Sequence, residues 1–347
     1  MKKSIGLLAV LMLVGVVSAF AGAGAEKGKK QIVLGKVPYT LEHAYHQNII
    51  KEWENYGPKT YGIKVVSIDG EASNEKTLAA VESLIAQKVD GIALHTGDAS
   101  IMTRSIKLAH AAGIPIVTTF IRPSEKLAPH IQANETPASF QMGKVAATQW
   151  KKAFPNVTCR VAMLDFGGFE QIEELRTGPF IAGVKSVDPN AVLVAQLNGE
   201  GSATRSMEVM FDILQKDPGV NIVFGANDDM ALGALAALEQ VGRGKMNNGV
   251  PLTEIIASVD ASAPALIQVY KPNSSLKLDI GAVRDNARLE IDTLMGIIGG
   301  KIPMKGWTEV LVPQTIVDFW STDIAVAQKF LEENFFYSGK LADEIKK

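Results

Sequence analysis

The stretch FGANDDMALGALAALEQVGR, residues 224–243, runs from an apolar strand end through Asn227, Asp228 and Asp229 into an Ala/Leu-rich helix. In an open parallel α/β sheet such a turn lies beyond the carboxyl end of a strand. Helix N-termini present unpaired N–H groups there, and ligands gather in the crevice they form. One of Asp228 and Asp229 is expected to cap the helix, a role worth about 1 kcal/mol. Asn227 is then left over, and its amide, with both donors and an acceptor, suits a hydroxyl-bearing ligand in a dry cleft.

The same alternation recurs in both directions from this stretch. Apolar runs QIVLGKV, GIKVVSID, DGIALH and IPIVTTF, then CRVAMLDF, AVLVAQL, VNIVFGA and EIIASVD, are each followed by a polar break and a helix-length segment. Continuous Val/Ile runs alternating with helices indicate parallel strands buried on both faces. In SNEKTLAAVESLIAQK, Leu78, Val81, Leu84 and Ile85 form one helical stripe, with Ser73 as N-cap and Glu75 in the first turn. LIAQKVDGIALHTGDA (84–99) and ILQKDPGVNIVFGANDD (213–229) share a helix end, a Gln-Lys pair, a short turn, a strand and a polar loop. That echo predicts two similar lobes, in keeping with a chain too long for one core. The first boundary falls near Ile131 to Asn134, and without a Gly/Ser-rich linker the connection is expected to be strands crossing between lobes.

The N-terminus reads as an export signal rather than as fold. Lys2 and Lys3 precede an apolar run from Ile5 to Val17, and Ala19, Ala21, Ala23 and Ala25 offer small-x-small cleavage sites. The run is short for a membrane span, and no cysteine near it provides a site for a lipid anchor. The mature chain is expected to be globular, exported and about 320 residues long. Its formal charge is −2, or −4 once Lys2 and Lys3 are removed, with no basic run to suit nucleic acid. The sole cysteine, Cys159, sits in a strand-like stretch and reads as core packing.

Several segments together resemble the periplasmic sugar-binding proteins of the ribose and galactose type, receptors of ABC importers. They are LIAQKVDGIAL, AHAAGIPIVTT, HIQANETPASFQMG, ILQKDPGVNIVFGANDDMALGALAAL and EIIASVD, in that family's order and spacing. The resemblance implies an α/β fold of two Rossmann-like, doubly wound parallel-sheet lobes. These would be joined by a three-segment hinge, with the ligand cleft between them. The lobes would be residues 31–131 with 283–312 and residues 132–282 with 313–340, after a signal peptide at 1–25. Carried over residue by residue, Asn227 and Asp260 match positions that bond sugar hydroxyls. Capping a helix near Ser262 is the competing role for Asp260. The loop VPYTLEHAYHQN supplies Tyr39, His43, Tyr45 and His46 where the family places aromatics and an Asn. Asn134 and Phe169 complete the set from the expected lobe junction and the LDFGGFEQ loop.

The departures are informative. Phe120 stands where the family commonly has Asp, Arg122 is out of register with its usual Arg, and Glu174 is the best match where an Arg is expected, with Arg176 nearby. The crossing strand LKLDIGAV lacks the usual Gln, leaving Arg284 as the nearest polar residue. The resemblance thus implies a binding protein for some other sugar or polyol, working by hinge closure as a monomer. It would be periplasmic, would deliver its ligand to ABC importer permease subunits, and would use no cofactor. A ligand sensor partnered with a membrane chemoreceptor or sensor kinase is the alternative. His43 and His46 lie three apart, a spacing that could suit zinc, but no third ligand follows; no phosphate loop, Gly-x-Ser-x-Gly or Cys-x-x-Cys occurs. The expectation is no metal and no enzyme activity.

Overall fold

The computed structural model describes residues 30–346. The export segment at 1–25 lies outside the described residues.

From Ile32 onward the chain alternates strand and helix: β1 (Val33–Val37), α1 (Ala44–Tyr61), β2 (Lys64–Ser67), α2 (Asn74–Ala86), β3 (Gly91–His95), α3 (Ala99–Ala111), β4 (Ile116–Thr119) and β5 (His130–Asn134). Helix α4 (Glu135–Ala153) then leads to β6 (Arg160–Asp165), the short α5 (Glu170–Ile172), a π-helical turn at Glu173–Thr177, α6 (Gly178–Val187), β7 (Val192–Asn198), α7 (Ala203–Lys216), β8 (Ile222–Gly225) and α8 (Asp228–Gln240). A small ribbon of β9 (Met246–Asn247) and β10 (Val250–Pro251) precedes β11 (Ile255–Ala257), α9 (Ala263–Tyr270) and β12 (Leu276–Gly281). The chain finishes with α10 (Val283–Ile298), β13 (Glu309–Pro313), β14 (Thr315–Asp318), α11 (Ile324–Phe335) and α12 (Leu341–Glu344).

These strands form two six-stranded sheets with matching orders, β13-β5-β4-β3-β1-β2 and β14-β12-β11-β8-β6-β7. Each centres on a doubly wound 2-1-3-4-5 arrangement. All pairings in the first sheet are parallel, whereas β14 runs antiparallel to β12 in the second. Each of the eight apolar runs read from the sequence coincides with one of these strands, β7 extending one residue beyond its run, to Asn198. The two echoed segments hold equivalent places, β3 between β1 and β4, and β8 between β6 and β11. The chain passes between sheets three times, after β5, after β12 and between β13 and β14.

Local chemistry sets the helix starts. Ser73 accepts from Lys76 N–H as the N-cap of α2, and Asp98 accepts from Ser100 N–H (2.7 Å) and Ile101 N–H (3.0 Å) at the start of α3. Helices α4 and α6 cross through glycine. A Cβ at Gly143 would fall 2.0 Å from the Phe180 carbonyl oxygen, and one at Gly183 2.0 Å from that of Phe140. Cys159 is fully buried, and burial, reinforced by Asp188, pushes its thiol up to about 12, so it stays protonated and packs as core. Among the described residues no helix is long and apolar enough to cross a membrane.

Candidate functional site

The carboxyl ends of the strands in the two sheets converge on one cleft with about 790 Å³ of empty space, counting the part open to solvent. This is where parallel sheets collect ligands, and the size suits a small molecule. From the first lobe, the β1–α1 loop contributes Tyr39 and His43, and the start of α1 contributes Tyr45 and His46. His95 ends β3, Phe120 follows β4, and Asn286 of α10 closes that wall. Facing them are Phe166 and Phe169 after β6, Arg176 from the π-helical turn, Asn227 after β8 and Asp260 after β11. Gln314, between β13 and β14, reaches the cleft from the third crossing.

The first-lobe wall is a belt of rings. His46 meets His95 edge-on at 4.7 Å between centroids and Tyr45 at 5.1 Å; Tyr39 and Phe120 extend the belt, with Phe120 5.3 Å from His95. Burial holds the His46 and His95 imidazoles well below their ordinary value, with His43 and the buried Lys36 adding to the effect at His46, and His46 and Lys36 at His95, so both are neutral near pH 7. Behind this wall Lys36 is itself buried and paired with Glu290 at 2.7 Å, whose other oxygen accepts from the Trp53 indole, also at 2.7 Å. That charge is spoken for.

Across the cleft the charged groups are likewise paired. Arg176 makes a two-pronged bond to Glu135, Nε and Nη2 each donating at 2.7 Å, and Nη1 donates to the Ala226 carbonyl. Its guanidinium lies 4.8 Å from the Phe120 ring centre, a cation–π contact. Asp260 differs. Among the described residues no side-chain hydrogen bond to its carboxylate is found. Burial, then the neighbouring Asp228, raises it well above the usual carboxylate range. Its backbone is held at φ 119°, with Ala261 at 54°, and Phe120 at 68° on the opposite wall. Non-glycine residues pay for that region of backbone space, and such strain concentrates at functional sites.

Of the residues singled out from the sequence, Tyr39, His43, Tyr45, His46, Phe120, Phe169, Asn227 and Asp260 line the cleft. The capping role expected of Asp228 or Asp229 needs correction. Asn227, not either aspartate, is the N-cap of α8: its Oδ1 accepts from Met230 N–H (2.9 Å) and its Nδ2 donates to the Gly201 carbonyl (3.2 Å). Both halves of the amide are therefore occupied. Asp228 turns inward, accepting from the Ser258 hydroxyl and from Ser262 N–H (2.7 Å). By taking the Ser262 N–H, it relieves Asp260 of the competing capping role.

Three of the expected residues stand apart from the cleft lining. Glu174 points outward to Arg122 (2.8 Å), and Arg176 takes the inward place. Arg284 pairs with Glu333 (2.6 Å) and Asp285 (3.0 Å), while Asn286, two residues on, lines the cleft and donates to the Tyr45 hydroxyl (3.0 Å). Asn134 stands at the N-cap position of α4 with no side-chain cap bond, and its neighbours Ala133 and Glu135 line the cleft instead. Sequence reasoning missed His95, Glu135, Phe166, Asn286 and Gln314. His95 was findable, since it ends the run DGIALH where a strand hands its last residue to the crevice. His43 and His46 sit 6.2 Å apart between ring centres, and no group of three or more His, Cys, Asp or Glu with metal-holding geometry occurs among the described residues.

Comparison with known proteins places this geometry. A family model described as a periplasmic binding protein domain matches residues 34–275. The ribose import binding protein of Bacillus subtilis (strain 168) is 26% identical over 260 residues, covering 70% of this chain and 79% of that protein. A periplasmic solute-binding protein from Actinobacillus succinogenes 130Z, solved with bound D-allose, superposes with a TM-score of 0.70 at 21% identity, covering 86% of this chain and 100% of the other. The solute-binding protein of a 5-methylthioribose transporter from Thermotoga lettingae TMO superposes with a TM-score of 0.71 at 18% identity, over 91% of this chain and 97% of that one.

Proposed function

The chain belongs to the periplasmic binding protein family, a family of binding proteins rather than enzymes, and from that premise we propose that it captures one uncharged sugar or polyol and hands it to an ABC importer. In this reading a cleaved signal peptide at 1–25 exports a monomer into the periplasm. The lobes are residues 31–131 with 283–312 and 132–282 with 313–340. They close about the three crossings, and the ligand favours the closed form because only there do both walls touch it.

One observation carries the cargo class. Arg176, Lys36 and Glu135 are all internally paired, the buried His46 and His95 rings are neutral, and Asp260 is a carboxyl group facing the cleft without a side-chain partner. Among the described residues, the Lys or Arg that lines the cleft, Arg176, is already paired, so an anionic ligand meets no unpaired cation of that kind. A neutral ligand finds what it needs: imidazole and phenol groups that donate or accept, a carboxyl for a hydroxyl, and the aromatic faces of Tyr39, Phe120, Phe166 and Phe169 for the C–H side of a ring.

A thermal-shift series on the refolded chain tests this directly. Neutral pentoses, hexoses and cyclitols are compared with their phosphates and acids. A cargo at a hundred times its Kd adds about 2.7 kcal/mol of stability and a visible rise in Tm. A rise with a sugar phosphate or sugar acid, and none with the neutral series, overturns the proposed class.

A further inference from the structure

Gln171 lies on α5, which follows β6 of the second sheet, yet its side-chain amide bonds only to residues that follow β4 or lie on β5 of the first sheet. Its Oε1 accepts from Arg122 N–H at 2.8 Å, and its Nε2 donates to the Gln132 side-chain oxygen at 2.7 Å and to the Phe120 carbonyl. Gln132 is 1% exposed, and the Phe120 carbonyl belongs to a residue held in the left-handed region. Beside this amide, Glu174 takes Arg122 Nη1 at 2.8 Å, and Arg122 Nε bonds Glu309 at 2.9 Å. The outer ion pair is half exposed and contributes little alone, whereas the amide bonds reach a buried partner.

None of Gln171, Arg122, Gln132 and Glu174 lines the cleft. Apart from the Phe120 carbonyl, the bonds join the lobes through residues outside the cleft lining, and they exist only while the walls are together. We propose that Gln171 is a positioning residue acting as a latch. It draws the lobes closed independently of cargo and, by gripping the Phe120 carbonyl, holds that ring over Arg176 on the cleft wall. Cargo affinity then contains a contribution from a residue that never touches cargo. The inference rests on the hinge-closure reading above.

The test needs no ligand. Donor and acceptor dyes are placed on Glu75→Cys and Thr204→Cys, exposed positions on opposite lobes, with the buried Cys159 left in place. Single-molecule energy transfer then reports open and closed populations of the refolded chain. Gln171→Ala is expected to lower the closed-to-open ratio by at least about tenfold, because all three hydrogen bonds of the amide are lost. Gln171→Glu keeps the volume but sets a carboxylate against two acceptors, and is expected to open the lobes at least as far. Glu170→Ala, next door and exposed, is the control and leaves the ratio unchanged. Exchange that is present but identical in Gln171→Ala and the parent overturns the latch alone. A single unchanging distance in every variant overturns the latch together with hinge closure.

Discussion

Asp260 and Asn227 face the same cleft but are expected to fail differently when changed. Asp260 has a carboxyl group with no side-chain partner, so Asp260→Ala is predicted to weaken cargo binding by roughly 1.5–3 kcal/mol with little loss of folding stability. Titration calorimetry beside thermal melts checks both halves. Asn227 has both halves of its amide committed to Met230 and Gly201, so Asn227→Ala is predicted to cost about 1 kcal/mol of stability through the lost cap. Urea unfolding measures that cost. Sequence reasoning assigned the α8 cap to Asp228 or Asp229 where Asn227 supplies it, because three polar residues in a row can each cap a helix and only coordinates show which oxygen meets the N–H. Arg176 was hidden for a different reason. The turn at Glu173–Thr177 is π-helical, with Gly178 N–H bonding Glu173 O, and its wider spacing shifts which side chain faces inward. His46 and His95 carry a pH prediction. Their folded values lie well below the ordinary 6.5, so the unfolded chain takes up protons first as pH falls. Their contribution is fully present above about pH 6.5 and is lost progressively below it. In urea titrations, His95→Asn is expected to lose less stability than the parent between neutral pH and about pH 5.

At the scale of elements, the central strands β1, β3, β4, β6, β8 and β11 were legible because their Val/Ile runs are buried on both faces, leaving no polar alternation to confuse the reading; β2 and β7, at the sheet edges, are partly exposed. The ribbon of β9 and β10 was not, since two-residue strands leave no periodic trace. The α4–α6 contact was equally invisible in sequence, because glycines inside helices ordinarily weaken them. Here they permit backbone approach, and Gly183→Ala would drive a methyl onto the Phe140 carbonyl oxygen. The helices must then separate, and a loss of roughly 1–3 kcal/mol is expected in chemical denaturation. An unchanged midpoint would mean that the two helices already have room to move.

Across the whole molecule, two sheets with matching strand order direct their carboxyl ends toward one cleft, and the chain crosses between them three times. The two similar lobes were visible in the echo between residues 84–99 and 213–229, whereas the three crossings and the shared cleft were expected only from the family resemblance. Which charges remain free in the cleft was not visible, because it depends on pairings such as Lys36 with Glu290, 254 positions apart. The central claim is that this cleft holds one uncharged, hydroxyl-bearing molecule. Native mass spectrometry of the refolded chain, incubated with an equal mixture of pentoses, hexoses and cyclitols, tests it most directly. The account predicts a single one-to-one adduct with the mass of a neutral sugar or polyol, lost from Asp260→Ala. No adduct, or the same adduct undiminished in Asp260→Ala, would contradict it.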